Sequence, residues 1–159
     1  MTTIKISFPN DQNSNVFAYQ DDIQIFKMER EFLLGSKNNG RIFEDQELLV
    51  EASDFFLNLK ILSQNLNPPL IIKSHNIIFS NFEIGVEKMK IIQYQFWHLL
   101  DKSKYAKIVW DSEEIARIGI DKNLDFGGIN LTMTFNIKEK HKIKYSILGF
   151  LLTQLTTNI

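Results

Sequence analysis

The chain of 159 residues contains no cysteine. This absence excludes disulfide bridges, thiolate nucleophiles and every zinc or iron–sulfur site with thiolate ligands. The chain also lacks an excess of charge of either sign, because Lys and Arg number 18 and Asp and Glu number 19, for a formal net charge of −1. Such a balance produces no global field that would attract nucleic acid or an anionic lipid surface.

A long apolar run is also missing. The longest candidate, Ile147 to Leu152, is far shorter than the roughly 20 apolar residues that a membrane-spanning helix needs. Residues 1–10 contain neither a basic segment nor a continuous apolar core, so no secretory signal is visible. These absences predict a soluble, cytoplasmic protein that does not act at a membrane.

Metal-binding patterns are absent or incomplete. The three histidines stand apart, with no pair at the four-residue spacing that places two ligands on one helix face; they are His75, His98 and His141. Residues 121–128 alternate acids and an amide as a calcium loop does, but Phe126 and Thr132 stand where that loop needs glycine and glutamate. The sequence therefore predicts no metal site.

Motifs for cofactors and nucleophiles are equally weak. Gly35 and Gly40 bracket four residues as in a phosphate-binding loop, but Arg41 and Ile42 follow where Lys and Ser or Thr are needed. The glycine-rich dinucleotide motif and the nucleophile elbow are not found. We therefore predict no cofactor and no catalytic residue.

What the chain does contain is enough apolar material for a core. Its hydrophobic content is 44%, with 13 phenylalanines, which is typical of a globular protein rather than a disordered one. A chain of this length can bury roughly two-thirds of its unfolded surface. No linker, repeat or low-complexity tract interrupts it, so the prediction is a single globular domain over residues 1–159.

Residues from Glu44 to about 66 show a helical period. One apolar stripe recurs at alternating four- and three-residue steps, and it consists of Leu48, Ala52, Phe55, Leu59, Leu62 and Leu66. A second stripe lies opposite the first and consists of Val50, Leu57 and Ile61. The two prolines at 68 and 69 would end this helix. Because a surface helix needs only one apolar face, the helix is expected either to be sandwiched inside the protein or to offer its second stripe to a partner.

Other segments alternate in the manner of strands, namely residues 2–8, 22–34, 70–72, 77–84, 105–110 and 129–137. For residues 22–34 a helix that starts near Asp22 is the open alternative. Residues 86–100 fit both periods and slightly favour a helix, and Ser112 resembles the N-cap of a short one. Residues 35–40 read as a loop. Residues 138–142 read as a polar turn, with a strand following from Ile143. The predicted fold is α+β, a mostly antiparallel sheet packed with one long central helix and one or two shorter helices.

The candidate site is the surface of the long helix. Its acids would match a basic partner and its second apolar stripe would anchor the contact; the proposed partner-binding residues are Glu44, Glu47, Glu51, Asp54, Val50, Leu57 and Ile61. We expect a non-enzymatic protein-binding module that neutralises or regulates a partner by occlusion. A bacterial immunity protein or antitoxin against a basic toxin domain is one instance, reached by elimination.

Three alternatives remain open. A nucleic-acid-associated regulator could use the basic clusters, which are Lys102, Lys104, Lys107, Lys138, Lys140, Lys142 and Lys144. A small-ligand carrier or an enzyme could assemble its site only in three dimensions, around a cavity lined by phenylalanines. A homo-oligomer could cover the second helix stripe with a symmetry mate.

Overall fold

The computed structural model describes residues 1–9, 14–32, 37–94, 105–121 and 128–156. These residues form twelve β-strands and one α-helix, α1 (Lys140–Thr153). The strands are β1 (Thr2–Phe8), β2 (Val16–Gln20), β3 (Ile23–Phe32), β4 (Lys37–Glu44), β5 (Glu47–Phe55), β6 (Asn58–Gln64), β7 (Leu70–His75), β8 (Phe79–Ile84), β9 (Glu87–Gln93), β10 (Ala106–Trp110), β11 (Glu113–Ile120) and β12 (Ile129–Phe135).

All twelve strands belong to one antiparallel sheet. Their order is β6-β5-β4-β3-β2-β1-β12-β11-β10-β9-β8-β7, so β6 and β7 are the two outermost strands. The side chain of Gln64 links them, because its amide donates to the Leu70 carbonyl at 2.9 Å and its oxygen accepts from the Leu70 N–H at 2.7 Å. The sheet is therefore barrel-like and nearly closed.

Strict alternation of apolar and polar residues produces the central strands. In β1, Ile4, Ile6 and Phe8 are buried while Lys5 is exposed, and β12 repeats this pattern in register with β1. The strands predicted over residues 2–8, 22–34, 70–72, 77–84, 105–110 and 129–137 are present, with shifted ends.

Helix α1 fills the interior of the sheet. Ten of its residues are buried, in an unbroken run from Tyr145 to Thr153 and at Ile143, so apolar contacts surround the helix on all sides. Gly149 lies so close to β9 that a Cβ atom built on it would be 2.6 Å from the Met89 side chain. A helix that is apolar all round is one that packs inside a protein, and α1 with the inward faces of the strands forms the core.

The prediction of a long central helix over residues 44–66 is wrong. This segment forms the end of β4, a two-residue turn, β5, a second two-residue turn and β6. The repeat that suggested a helix alternates between exposed residues, such as Leu48 and Leu62, and buried ones, such as Ala52 and Leu59. β-Bulges in the pairings of β5 insert extra residues and break the two-residue period, which left a spacing that imitated a helix. The fold is therefore mostly sheet rather than α+β.

Three further predictions are corrected by the sheet. Residues 87–93 form β9 rather than a helix, while residues 95–100 lie outside the described ranges. Ser112 is the second residue of a tight turn before β11 and caps no helix. Residues 37–40 belong to β4 rather than to a loop. In each case hydrogen bonding and packing against neighbouring strands outweighed the conformation that the local sequence pattern favours.

The strand predicted from Ile143 onward is instead α1. Enclosure by the sheet removed the amphipathic pattern by which a surface helix is recognised, so this helix carried no 3.6-residue signal.

Helix α1 runs from one end of the sheet to the other. We call the end around Lys140 the proximal end and the end around Thr153 the distal end. Strands β3, β5, β7 and β9 run towards the distal end, and β4, β6, β8 and β10 start there. In the described residues, connections 21–22, 45–46, 85–86 and 111–112 lie at the proximal end, and connections 56–57 and 76–78 lie at the distal end.

Candidate protein-binding surface

Four two-residue turns share one backbone conformation but not one residue chemistry. Both turn residues have positive φ in Asp21-Asp22, Asp45-Gln46, Asp111-Ser112 and Phe56-Leu57. Such turns match the twist of an antiparallel hairpin and favour Asn, Asp and Gly, which tolerate the left-handed region. The first three turns begin with aspartate and lie at the proximal end. The fourth carries two bulky apolar residues and lies at the distal end.

The Phe56-Leu57 turn is costly for the fold. Its φ values are 49° and 66°, and a left-handed conformation costs roughly 1–2 kcal/mol per residue for side chains with a Cβ atom. The two side chains add little buried apolar area that could offset this cost, since Phe56 is 69% and Leu57 41% exposed. An observed backbone strain of this kind supports a functional hypothesis for the residues that carry it.

Phe55 extends the same apolar tip. Its ring meets the ring of Phe56 edge to face, with 4.5 Å between the centroids, and it is itself about half exposed. The edge-to-face contact restricts both rings. The β5–β6 hairpin therefore ends in three adjacent apolar side chains held in a defined arrangement.

The next hairpin, β7–β8, presents a second apolar tip. The side-chain oxygen of Asn76 accepts hydrogen bonds from the backbone N–H groups of Ile78 (2.8 Å) and Phe79 (2.9 Å). The Ile78 carbonyl accepts from the N–H of Gln93 at 2.7 Å. With the backbone held in this way, Ile77 and Ile78 remain exposed.

These tips, with the exposed last residue of β3, define what we call the distal apolar surface: Phe32, Phe55, Phe56, Leu57, Ile77 and Ile78. Exposed apolar residues also occur at the proximal end, for example Ile23 and Val86, but these two lie on separate hairpins, and single exposed apolar residues are ordinary for a protein surface. The concentration at the distal end is what marks a candidate contact surface.

Exposed lysines flank the distal apolar surface. Lys37 pairs directly with Phe55 across β4 and β5, and Lys60 pairs with Ser53 across β5 and β6. Lys73 on β7 lies 3.9 Å from Glu83 with more than half of its side chain exposed. Positive charge around an apolar centre favours a partner with acidic groups at the rim of its contact.

Buried and half-buried hydrogen bonds hold the residues that follow α1 against the sheet behind this surface. Arg30 Nη1 donates to the Gln154 carbonyl (3.3 Å) and Nε to the Ser14 carbonyl (2.9 Å), while Asn38 Nδ2 donates to the Leu155 carbonyl (2.6 Å). Carbonyls at a helix C-terminus have no partner within the helix, so these donors satisfy them. Burial lowers the pKa of Arg30, and the neighbouring Tyr105 partly offsets this effect. Burial also raises the pKa of Tyr105, to about 12.

His75 at the end of β7 makes a third connection to this segment. Its Nδ1 and Nε2 each lie 2.6 Å from a hydroxyl oxygen, of Ser80 and Thr156 respectively. Burial lowers the pKa of His75, and the negative charge of Asp54 partly offsets this effect. Both ring nitrogens are therefore engaged in joining β7, β8 and the end of α1, which gives the distal apolar surface a rigid base.

The predicted acidic site does not assemble. Glu44 Oε1 lies 3.5 Å from Lys144 Nζ, Glu47 accepts a hydrogen bond from the Asn65 side chain at 2.6 Å, and Glu51 pairs with Arg41 across β4 and β5. The other predicted residues differ in burial: Val50 and Asp54 are buried, Ile61 is half-buried against the core, and Leu57 is exposed. Of the seven residues, Leu57 alone belongs to the distal apolar surface.

Glu51 lines a groove on the outer face of β3, β4 and β5. The groove has a volume of about 690 Å³ and is lined by side chains of both signs, among them Lys27, Glu29 and Arg41. This mixture of charges gives no acidic stripe.

The predicted basic clusters are also separated. Lys102 and Lys104 lie outside the described residues, as does His98, and Lys107 is on β10. Lys138, Lys140, Lys142 and Lys144 surround the start of α1 at the proximal end. Two of these four face acids, since Lys142 Nζ is 3.0 Å from Glu139 and Lys144 Nζ is 3.5 Å from Glu44.

Metal-ligating side chains do not cluster in the part of the chain that the structure describes. The segment that resembles a calcium loop falls largely outside that part, at residues 122–127. Asp121, which precedes it, accepts a hydrogen bond from the hydroxyl of Thr132.

Comparison of the chain with protein-family models, with curated proteins and with solved structures finds no match in any of the three. Within the described ranges, no helix has the length and apolar character needed to cross a membrane.

Proposed function

We propose that the protein is a non-enzymatic protein-binding module that acts by occlusion, and that the distal apolar surface is its contact. The observation that carries this proposal is the Phe56-Leu57 turn, where two large apolar residues occupy left-handed backbone and remain exposed. Folding would be served better by Asn-Gly at these positions. A bound partner that covers the side chains supplies the missing reason for their presence.

Energetic considerations support a protein as the partner. Binding energy at protein interfaces concentrates in a few large side chains that become fully desolvated. Tight hairpin turns present these side chains already ordered, so little conformational entropy is lost on binding. The interior of the sheet is occupied by α1, which favours an external contact over an internal ligand cavity.

The chemistry expected of the partner differs from that inferred from sequence. The sequence predicts a basic partner because the acids of residues 44–54 would share one face of a helix. The structure forms strands over this segment, so that face does not exist. The flanking Lys37, Lys60 and Lys73 instead favour a partner with acidic groups around an apolar centre. An immunity protein or antitoxin that covers its toxin remains one biological instance of occlusion.

The proposal is tested with two matched double variants. Phe56→Asn with Leu57→Gly removes the apolar tip and keeps the turn, whereas Asp45→Asn with Gln46→Gly makes the same change of turn chemistry at the proximal end. Proteins retained from the source organism's lysate are identified by mass spectrometry, and the retained protein is purified and titrated. We expect the distal variant to lose about 2 kcal/mol or more of binding free energy, roughly thirtyfold in Kd, while the proximal variant binds as wild type.

Equal binding by wild type and both variants would overturn the proposal. So would a titration in which the proximal variant loses as much affinity as the distal one.

A further inference from the structure

β6 and β7 are the first and last strands of the sheet order. In the described residues they are not joined by a ladder of backbone hydrogen bonds, and we call the junction between them the seam. β6 is in register with β5 and β7 with β8. At the proximal side, the Gln64 side chain supplies the hydrogen bonds that a ladder would supply. Towards the distal end, the two strand edges face each other without such a link in the described residues.

Unpaired strand edges present N–H and C=O groups that can bind an additional extended chain. Adding a strand to a sheet edge is a recurrent mode of peptide recognition, in which backbone hydrogen bonds provide affinity and alternate side chains provide specificity. The distal end of the seam lies between the tips of the two hairpins, beside Leu57 and Ile77. The seam is therefore continuous with the distal apolar surface.

The side chains along the seam indicate what such a chain would contain. Leu62 on β6 and Ile71 on β7 are both about half exposed, and Lys60 and Lys73 are exposed on the same two strands. Lys60 and Leu62 are two residues apart and therefore lie on the same, outer face of the sheet, and the side chains of an added strand alternate between the two faces. Its outward residues would lie beside the lysines and match them with carboxylates, while its inward residues would be apolar, as are the buried Leu59 and Leu70 on either side. Gln64 and Leu70 close the proximal side of the seam, so the free edges are residues 58–63 of β6 and 71–75 of β7. This sets the length of the recognised segment at about five residues.

From this arrangement we infer that the seam between β6 and β7 binds an extended segment of the partner protein, about five residues long, in which acidic and apolar residues alternate. The segment pairs with the free strand edges while the body of the partner covers the distal apolar surface. This inference rests on the proposed function and specifies the chemistry of the partner.

The first test uses a defined probe, a fluorescein-labelled eight-residue peptide of alternating Glu and Val, titrated by anisotropy. Two control peptides replace Glu by Lys, or a central Val by Pro, which cannot donate a ladder hydrogen bond. We expect the Glu-Val peptide to bind at least roughly tenfold more tightly than either control. The Lys60→Glu, Lys73→Glu variant is expected to reverse the preference between Glu and Lys peptides.

The matched control for that variant is Lys88→Glu, Lys140→Glu, which changes the net charge equally at two exposed proximal positions. It should keep the preference for the Glu-Val peptide. Equal binding of the proline peptide, or no binding of the Glu-Val peptide, would overturn the inference.

A second test measures amide hydrogen exchange in β6 and β7. In the free protein, alternate amides of β6 should exchange much faster than those of β5, and the Glu-Val peptide should slow them. Fully protected β6 amides in the free protein would mean that the seam is closed, and would overturn the inference. If a purified partner needs Phe56 and Leu57 for binding but leaves exchange in β6 and β7 unchanged, the inference fails while the proposed function stands.

Discussion

The two ends of the sheet contain turns of the same positive-φ conformation, but they build these turns from different residues. At the proximal end, the turns that require positive φ use Asp21-Asp22, Asp45-Gln46 and Asp111-Ser112, whereas at the distal end the turn uses Phe56-Leu57. Polar residues at the proximal turns tolerate the left-handed region. The apolar pair at the distal turn is expected to lower stability and leaves side chains in water, and the proposed contact rests on this difference.

The ends also differ in how they hold α1. At the proximal end, partly exposed groups form ion pairs, such as Lys144 with Glu44 at 3.5 Å. At the distal end, the buried Arg30 and the half-buried Asn38 satisfy the carbonyls that follow the helix. Exposed ion pairs typically contribute less than 1 kcal/mol, while hydrogen bonds from a buried charge contribute more. The contacts that hold α1 are therefore expected to contribute more to the free energy of unfolding at the distal end than at the proximal end.

The largest effect is expected from Arg30→Ala. This change leaves the carbonyls of Ser14 and Gln154 without the charged donor that satisfies them, and it empties the space over the Phe8 and Phe32 rings. Urea denaturation should show a loss of about 3 kcal/mol in the free energy of unfolding. Arg41→Ala, at an exposed position of the same sheet, is the control and should change it by less than about 0.5 kcal/mol. Equal stability of the two variants would contradict the difference between the ends.

The next effect has the opposite sign. Phe56→Asn with Leu57→Gly should raise the free energy of unfolding by about 1–2 kcal/mol, because these residues adopt positive φ with little strain. The proximal variant Asp45→Asn with Gln46→Gly should gain less, since Asp45 already tolerates this conformation. Thermal or urea unfolding of both variants measures the difference. A distal variant less stable than wild type would remove the argument that strain is retained for function.

A smaller effect is expected from pH. Burial lowers the pKa of His75 in the folded protein, so the unfolded chain, with an ordinary pKa of about 6.5, binds the proton more readily. The contribution of His75 to stability is therefore present above pH 6.5 and is lost as pH falls through the folded pKa. Urea midpoints between pH 7.5 and 5 should fall more steeply for wild type than for His75→Gln. Parallel pH profiles would contradict this prediction.

The smallest effect is expected at the proximal ion pair. Glu44→Gln removes the charge that faces Lys144, and the pair is partly exposed, so the free energy of unfolding should change by less than about 1 kcal/mol. The change should shrink further in 1 M salt, which screens exposed charges. A loss comparable to that of Arg30→Ala would mean that the two ends hold α1 equally.

Prediction from the sequence succeeded where the local pattern matched the tertiary environment. β1 and β12 lie with one face on the core, so Ile4, Ile6, Leu131 and Met133 alternate with polar residues and the strands could be recognised. The candidate site was predicted less well, since Leu57 was selected for its place on a helix stripe and lies instead in a strained turn. Phe56-Leu57 carries no turn chemistry that could have revealed it.

By itself the sequence determined the central strands, through residues that alternate with period two, and the absence of thiolate chemistry, through the lack of cysteine. Only the tertiary structure decided that residues 44–66 are strands and that residues 140–153 are a helix. Bulges disturb the period of β5 and β6, and enclosure on all sides gives α1 no polar face. Both effects arise from neighbours distant in the chain, which a local pattern does not record.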